Sequence, residues 1–176
     1  MLRVLQPPWA LESINTSISQ DCHNPWQSSV CRCQMKKIYF CGSIRGGRND
    51  VSLYQDLIRF MKEKGFRVLT EHIASPEVFG LEVKKTDHEI WLEDMSWLNE
   101  SDFVIAECST PSLGVGYELA VAKHLKKPTF VFARRTEREH SLSAMIAGDP
   151  YYNVRMYSDD AEILAELEKV LSAEGV

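Results

Sequence analysis

The sequence lacks the features of several large protein classes. It contains no apolar run near the roughly 18 residues that a membrane-spanning helix needs, so we expect no membrane partner. Its five cysteines are an odd number, unlike the even framework of a small secreted protein. Its net charge is −5, whereas a surface that coats nucleic acid is basic. We therefore expect neither a disulfide scaffold nor a nucleic-acid polymer as partner.

The cysteines fall into two groups along the chain. Cys41 and Cys108 lie in apolar, strand-like runs, where a reduced core thiol is the usual state. The other three lie in the N-terminal stretch, and their spacing matches no standard zinc pattern. The sequence therefore predicts no metal site.

Residues 1–35 differ from the rest of the chain. They contain Pro7-Pro8 and clusters of Asn and Ser, with no sustained hydrophobic periodicity and too little apolar sequence for a signal peptide. The simplest interpretation is a disordered extension before a domain at residues 36–176. A weak organelle presequence is the alternative that this composition leaves open. We expect a cytoplasmic protein, with the nucleus as a second candidate location.

Strand and helix signals alternate from Met35 onward, and Thr86 with Glu89 forms a capping box before one of the helices. Strands are predicted at Lys37–Cys41, Phe66–Leu69, Asp102–Cys108, Pro128–Ala133 and Val154–Tyr157. Helices are predicted at about 50–64, 87–99, 117–126, 141–147 and 159–173. Because parallel neighbours need crossover helices, the alternation predicts an α/β fold. We expect a single-domain doubly wound five-stranded parallel sheet in the flavodoxin-like order 2-1-3-4-5.

Two predicted loops follow strands 1 and 3, where this fold binds its ligands. The loop Gly42–Arg48 matches neither a Rossmann nor a P-loop fingerprint, but its three glycines and two arginines suit an anion at a helix start. The loop Ser109–Gly116 adds hydroxyls and backbone amides before the next helix. The plain alternative is a pair of tight turns with solvated side chains. Together, the two loops favour a small anionic ligand.

Two carboxylates are candidates for chemistry in this crevice. Glu118 is expected in the first turn of the helix after the second loop, where the helix dipole helps to keep a nucleophile ionised. The alternative is a surface Glu that stabilises the helix. Asp94 shares a core-facing stripe with Trp91, Met95 and Leu98, where a carboxylate is costly unless it is paired or used. It is either a general acid or base, or a side chain bonded to loop backbone.

Two further polar residues lie near the predicted ligand end of the sheet. Tyr39 is in the first strand, three residues before the glycine-rich loop, although a strand Tyr is usually a core residue. His72 ends the second strand and is either a substrate contact or a satisfied polar side chain.

Five blocks of the chain carry a family resemblance, in order and with similar spacing over about residues 36–160. They are Ile38–Arg48, Leu69–His72, Asp94 with Trp97-Leu98, Pro111–Leu119 and Leu142–Ile146. Together they resemble the 2′-deoxynucleoside 5′-phosphate N-hydrolases of the nucleoside 2-deoxyribosyltransferase superfamily. The stretch Ile90–Glu93 departs from the family pattern on the side of the base, and the charged loop 134–141 is longer than expected.

The resemblance implies a role for each residue that matches the family pattern. It implies Glu118 as nucleophile on the anomeric carbon, Asp94 as the group that handles the proton of the base, and Tyr39 as the residue that positions both Glu118 and the sugar. The resemblance also implies a homodimer, in which Ser143 reaches the phosphate from the second subunit. The other implied contacts to the sugar and 5′-phosphate are Gly42, Ser43, Ile44, Arg45, Gly46, Ser112 and Gly114.

The implied reaction is hydrolysis of the base–sugar bond of a 2′-deoxynucleoside 5′-monophosphate. Departure of the base gives the sugar oxocarbenium character, as in glycoside hydrolysis. Glu118 would trap the anomeric carbon as an ester that water hydrolyses, so no metal or organic cofactor is expected. A 2-deoxyribosyltransferase, a ribonucleotide-preferring relative and a non-catalytic nucleotide sensor are the alternatives.

Overall fold

A computed structural model describes residues 35–47, 49–75, 85–136 and 142–175 of the chain. The strands are β1 (Lys37–Cys41), β2 (Arg67–Val68), β3 (Phe103–Glu107), β4 (Thr129–Arg134) and β5 (Asn153–Tyr157). The helices are α1 (Val51–Glu63), α2 (Asp87–Glu100), α3 (Leu113–His124), α4 (Ala144–Ala147) and α5 (Asp160–Glu174), with a 3-10 helix at Glu71–Ala74. The expectations for residues 1–34 and for Arg48 lie outside the described residues.

The five strands form one parallel sheet in the order β2-β1-β3-β4-β5. In the central register, Tyr39 of β1 lies beside Val104 of β3, and Cys41 lies beside Ala106. All strands run in the same direction, but β2 lies on one side of β1 and the strands from β3 onward lie on the other side. The position between β1 and β3 is therefore the switch point of this fold. The predicted fold class and strand order are confirmed.

The sheet is covered on both faces, because successive strand residues point to opposite sides. Ile38 and Phe40 pack against α1 and α5 on one face. Tyr39 and Cys41 point to the other face, where they pack with residues of α2 and α3. The two-residue period of β1 therefore directs both Tyr39 and Cys41 toward the helix that carries Glu118.

Helix α3 begins four residues earlier than the sequence suggested, so the prediction of a start at Tyr117 is wrong. Its N-cap is Ser112, whose hydroxyl accepts a hydrogen bond from the backbone N–H of Val115. Such a cap stabilises a helix start by about 1 kcal/mol, comparable to what a glycine in a helix costs. Glu118 is consequently the sixth residue of α3, in its second turn rather than its first.

The capping box of α2 is confirmed, but its predicted core-facing stripe is only partly buried. Thr86 accepts a hydrogen bond from the backbone N–H of Glu89, and the Glu89 side chain accepts one in return. Leu98 is the buried residue of this helix, whereas Trp91, Asp94 and Met95 are half-buried and line a cleft. The stripe meets the core only in the second half of α2, because its first half lies beside loops.

Strand β2 is shorter than the predicted Phe66–Leu69 because Thr70 interrupts its pairing. The Thr70 hydroxyl donates to the carbonyl of Phe40 and accepts from the Phe40 backbone N–H. A side chain thus occupies the backbone groups that a longer β2 would have paired.

No helix in the described part of the chain combines the length and the apolar character that crossing a membrane requires.

Candidate active site

A cleft of about 610 Å³ opens at the carboxyl ends of β1 and β3. One wall is the loop after β1, a second is the first half of α2, and the start of α3 closes the third side. This is the switch point of the sheet, where doubly wound folds bind ligands. The cleft brings together most of the residues predicted from the sequence: Gly42, Ile44, Arg45, Gly46, Asp94, Ser112, Gly114 and Glu118.

The carboxyl group of Glu118 lies over the sheet and receives hydrogen bonds from β1. The Tyr39 hydroxyl donates to Glu118 Oε1 at 2.8 Å, and the Cys41 thiol also donates to this carboxyl group. Burial raises the pKa of Glu118 to about 7, and the charge of Asp94 acts in the same direction. The hydrogen bonds from Tyr39 and Cys41 oppose this rise but do not cancel it.

The prediction that Glu118 lies in the first turn of its helix, where the dipole would help to keep it ionised, is therefore wrong. The dipole acts mainly within the first turn of a helix, and Glu118 lies in the second turn of α3. Desolvation is stronger, so near neutral pH the carboxyl group is present in both its protonated and its ionised forms. Its hydrogen bonds from β1, rather than the helix, favour the ionised form.

Tyr39 and Cys41 remain hydrogen-bond donors at neutral pH. Burial raises the pKa of both groups well above their ordinary values, and the negative charge of Glu118 raises each pKa further. A protonated phenol and thiol therefore face the carboxyl group. They orient Glu118 without adding a competing negative charge.

Asp94 is the second carboxylate in the cleft, half-buried on α2. Its charge raises the pKa values of Glu118, Tyr39 and Cys41, which places it near all three. Two carboxyl groups that face one cavity can divide the work of nucleophile and proton carrier. The structure thus brings together the three residues predicted to be catalytic.

The two loops predicted to bind an anion touch each other beside these carboxylates. A Cβ atom on Gly46 would lie 2.3 Å from the Pro111 carbonyl oxygen, so only glycine fits at this contact. Arg45 is exposed on the cleft, with its guanidinium 3.9 Å from the Asp87 carboxylate. Ser43, another predicted contact, is fully buried beneath the loop instead of lining the cleft.

One wall of the cleft consists of apolar and aromatic side chains, and Ile90 and Trp91 among them belong to the stretch that departs from the family pattern on the side of the base. Trp91 donates a hydrogen bond from Nε1 to the Tyr117 hydroxyl at 3.2 Å, and its ring stacks on His88 at 5.8 Å between centroids. The apolar side chains of Ile90 and Met95 extend this surface. We call the surface formed by Trp91, Tyr117, Ile90 and Met95 the aromatic wall. The available signal was helical spacing, because Trp91 and Met95 share a face of α2 with Asp94. From its spacing alone, that face is expected to lie in the core.

Two predicted contact residues lie away from the cleft. His72 packs against the Trp97 ring, with 5.2 Å between ring centroids. Ser143 lies at the start of α4 and lines a neighbouring cavity of about 940 Å³, together with Leu113 and Met145. The structure of one chain therefore does not bring His72 or Ser143 to Glu118. Within the described ranges, no three His, Cys, Asp or Glu side chains cluster as a metal site.

A parallel sheet with two carboxylates at its switch point is the arrangement of an α/β enzyme with a small ligand. The sequence profile of the nucleoside 2-deoxyribosyltransferase family matches residues 38–166. The chain therefore belongs to this family, and the family resemblance of its motifs is confirmed.

Named relatives agree with this assignment, and a solved structure shares the fold. The chain is 42% identical over 143 residues to the 5-hydroxymethyl-dUMP N-hydrolase of Esox lucius, covering 77% of this chain and 97% of that protein. It is 46% identical over 113 residues to the protein of the same name from Rattus norvegicus, covering 63% and 68%. The structure of Clostridium botulinum CMP N-glycosidase, BcmB, has a TM-score of 0.59 at 21% identity and covers 77% of this chain and 100% of that chain. At this identity, that structure supports the fold alone.

The raised pKa of Glu118 predicts a pH-dependent gain of stability in Glu118→Gln. The folded protein holds this proton more tightly than the unfolded chain, whose carboxyl has a pKa near 4.5. The free energy of unfolding of the wild type therefore falls as the pH rises from about 4.5 through about 7. The neutral amide avoids this loss, on the order of 3 kcal/mol above pH 7.

Thermal unfolding measured at several pH values tests this expectation. The variant and the wild type should unfold at similar temperatures near pH 5, and the variant should unfold at a higher temperature near pH 8. Glu63→Gln, at the exposed end of α1, is the control and should show no such divergence. A Glu118→Gln protein that is no more stable than the wild type near pH 8 would contradict the assignment of a buried, desolvated carboxyl.

Proposed function

We propose that this protein hydrolyses the N-glycosidic bond of 2′-deoxynucleoside 5′-monophosphates to the free base and 2-deoxyribose 5-phosphate. The observation that carries the proposal is the pair formed by Glu118 and Asp94 in one cleft, next to two loops suited to a phosphate. Relatives named 5-hydroxymethyl-dUMP N-hydrolase support the same reaction class.

The cleft offers a separate region for each part of such a nucleotide. The 5′-phosphate is placed at Arg45, Gly46 and Ser112, where a positive side chain and the N-terminus of α3 attract an anion. The anomeric carbon then lies over Glu118. The base extends along the aromatic wall, where Trp91 presents a flat surface to a planar ring.

In the first chemical step, an ionised Glu118 oxygen bonds to the anomeric carbon as the bond from that carbon to the base nitrogen breaks. In this reacting form Glu118 is ionised and Asp94 is neutral, so the electron pair of the broken bond leaves with the base, which takes the proton that Asp94 carries. The Tyr39 hydrogen bond holds Glu118 toward the sugar during this step. In the second step, water attacks the same carbon, Asp94 accepts its proton, and the ester bond to Glu118 breaks.

The chemistry of the transition state favours deoxyribose over ribose. A 2′-hydroxyl withdraws electrons from the anomeric carbon and slows formation of the oxocarbenium character that both steps require. It would also occupy space beside the nucleophile. We therefore expect deoxynucleotides, 5-hydroxymethyl-dUMP among them, to react faster than the matching ribonucleotides.

A 2-deoxyribosyltransferase is the second candidate, because the description of the matching family names that activity. It would use the same nucleophile but pass the sugar from Glu118 to an acceptor base instead of water. Arg45 and Ser112 beside the cleft favour a substrate with a 5′-phosphate, and the named relatives are hydrolases. The hydrolase is therefore the proposal.

We expect the protein alone to release free base from 5-hydroxymethyl-dUMP and dGMP, with an equal amount of 2-deoxyribose 5-phosphate, by chromatography. Glu118→Ala should slow release about 10³-fold or more, while calorimetry still detects dGMP binding. Glu63→Ala, far from the cleft, is the matched control and should retain the wild-type rate. Release that requires an added acceptor base would favour the transferase, and turnover retained in Glu118→Ala would contradict the mechanism.

Tyr39→Phe should shift the pH dependence of base release toward alkaline pH. Because the nucleophile must be ionised, kcat/KM should rise as the pH passes through about 7 in the wild type. Loss of the phenolic hydrogen bond further raises the pKa of Glu118, so the rise should move up by roughly one pH unit. Tyr151→Phe removes a hydroxyl bonded to the Lys127 carbonyl, away from the cleft, and should leave the profile unchanged. Identical profiles for Tyr39→Phe and the wild type would contradict this role.

We also propose a homodimer in which Ser143 contacts the phosphate bound by the other subunit. Leu113 is 95% exposed and Met145 is 83% exposed, and both line the cavity that contains Ser143. Exposed apolar side chains of this size favour a surface covered by a second copy. The position of Ser143 outside the cleft of its own chain supports the same arrangement.

Co-expression of two defective variants tests the shared site. Ser143→Asp repels the phosphate and Glu118→Ala removes the nucleophile, so each variant alone should be nearly inactive. Mixed dimers contain one site with an intact Glu118 and an intact partner Ser143, and should restore about a quarter of the wild-type rate under random pairing. A monomer in sedimentation, or a mixture no more active than its components, would contradict the dimeric site.

A further inference from the structure

A second buried carboxylate, which the proposed chemistry does not use, lies at the end of β3. Glu107 is fully buried, and burial raises the pKa of its carboxyl group. Its Oε1 accepts hydrogen bonds from the Tyr157 hydroxyl at 3.0 Å and from the backbone N–H and hydroxyl of Ser109. Its Oε2 accepts a longer hydrogen bond, 3.4 Å, from the Tyr54 hydroxyl.

Tyr54 connects this carboxylate to the loop after β1. The Tyr54 hydroxyl accepts a hydrogen bond from the backbone N–H of Ser43 at 3.1 Å. A Cβ atom on Gly42 would lie 2.8 Å from the Tyr54 ring, so the loop backbone rests directly on that ring. Glu107, Tyr54 and Ser43 thus form a continuous chain of contacts that ends beneath the cleft.

Ser109 connects the same carboxylate to the loop after β3. Its hydroxyl donates to Glu107 and accepts from the backbone N–H of Arg134 at 2.7 Å, which fixes the point where the chain leaves the sheet. Two residues later, the Pro111 carbonyl makes the close contact with Gly46 of the first loop. The hydrogen bonds of one carboxylate therefore hold the start of both loops, and the loops touch each other above it.

The surroundings of Glu107 supply hydrogen bonds rather than an opposite charge. Burial and the charge of Glu107 raise the pKa values of Tyr54 and Tyr157, so both phenols are protonated donors. The nearby cation, Arg134, pairs with Asp50 at 2.8 Å instead of with Glu107. A buried carboxylate held this way is costly to the fold, which favours a role in function over one in stability.

We propose that Glu107 is a positioning residue that sets the geometry of the two phosphate-binding loops, through Tyr54 and Ser43 on one side and Ser109 on the other. It does not touch the nucleotide itself. The inference rests on the proposed function, since it takes these loops to hold the 5′-phosphate. A positioning role predicts that changes at Glu107 weaken the capture of the phosphate much more than the step at the anomeric carbon.

Glu107→Gln tests the role with little change of volume. The amide oxygen can still accept from Tyr157 and Ser109, but the amide NH₂ cannot accept the Tyr54 proton. The Tyr54 hydroxyl therefore loses its acceptor and must reorient, which disturbs its contact with the first loop. We expect KM for dGMP to rise about tenfold and kcat to change less than about threefold. The pH at which kcat/KM rises should stay that of the wild type, because Glu118 and Tyr39 are untouched.

Two further variants separate positioning from a general loss of stability. Tyr54→Phe removes only the hydroxyl that bridges to Ser43, so it should raise KM in the same way, and the double variant should add little to either single change. Ile105 lies on the same face of β3 as Glu107, two residues before it, and contacts neither loop. Ile105→Val removes one carbon atom from the core and leaves the loops unchanged. It should lower the unfolding temperature and leave KM unchanged.

The outcomes are distinct for the inference and for the proposed function. An unchanged KM in both Glu107→Gln and Tyr54→Phe, or an equal rise in Ile105→Val, overturns the positioning role. If Glu107→Gln fails to fold, the KM of Tyr54→Phe alone decides. If the wild type releases base from no nucleotide, the proposed function fails. Calorimetry with dGMP and inorganic phosphate then tests the loops directly, and unweakened binding in the variants overturns the inference.

Discussion

The desolvation of one carboxyl group, Glu118, is the constraint on which the chemistry of the cleft depends. An exposed Glu is fully ionised at neutral pH and strongly hydrated, which makes it a poor nucleophile. Burial brings the pKa of Glu118 to about 7, while donors from Tyr39 and Cys41 hold it in one orientation. The group can therefore ionise near neutral pH, yet its negative charge has few partners until a positively charged sugar carbon forms beside it.

The fold produces this environment through the geometry of β1. Tyr39 and Cys41 are two residues apart in a strand, so both side chains point to the face covered by α3. The order of the sheet places β3 next to β1, and α3 begins where β3 ends. The donors and the carboxyl group thus come from elements far apart in sequence that a parallel sheet places side by side. A change in strand order would separate them.

Periodicity and glycine content were sufficient to predict the fold and the two loops of the cleft, because both are local properties of the sequence. The individual contacts to the sugar and phosphate were implied by the family resemblance. The bounds of α3 could not be predicted in this way: Gly114 and Gly116 resemble a loop, and only the contact between Ser112 and Val115 shows that the helix has already begun. The aromatic wall around Trp91 has the helical spacing of a core, and spacing cannot tell a core from a cleft. The contacts of Glu107 join residues up to 53 positions apart, which no local pattern reveals.

Glu118 is half-buried on the cleft and Glu107 is fully buried, and the comparison shows why one carboxylate is suited to chemistry and the other to architecture. Glu107 accepts hydrogen bonds on both oxygens, from Ser109, Tyr54 and Tyr157, and is sealed from the cleft. Glu118 has fewer donors, lies near the negative charge of Asp94 and faces the cavity. A carboxylate with satisfied oxygens is a weak nucleophile, because attack would break its hydrogen bonds. The smaller number of donors on Glu118 and its position on the cleft therefore suit it to bond formation with a sugar carbon. The donors on both oxygens of Glu107 suit it to hold the two loops in place.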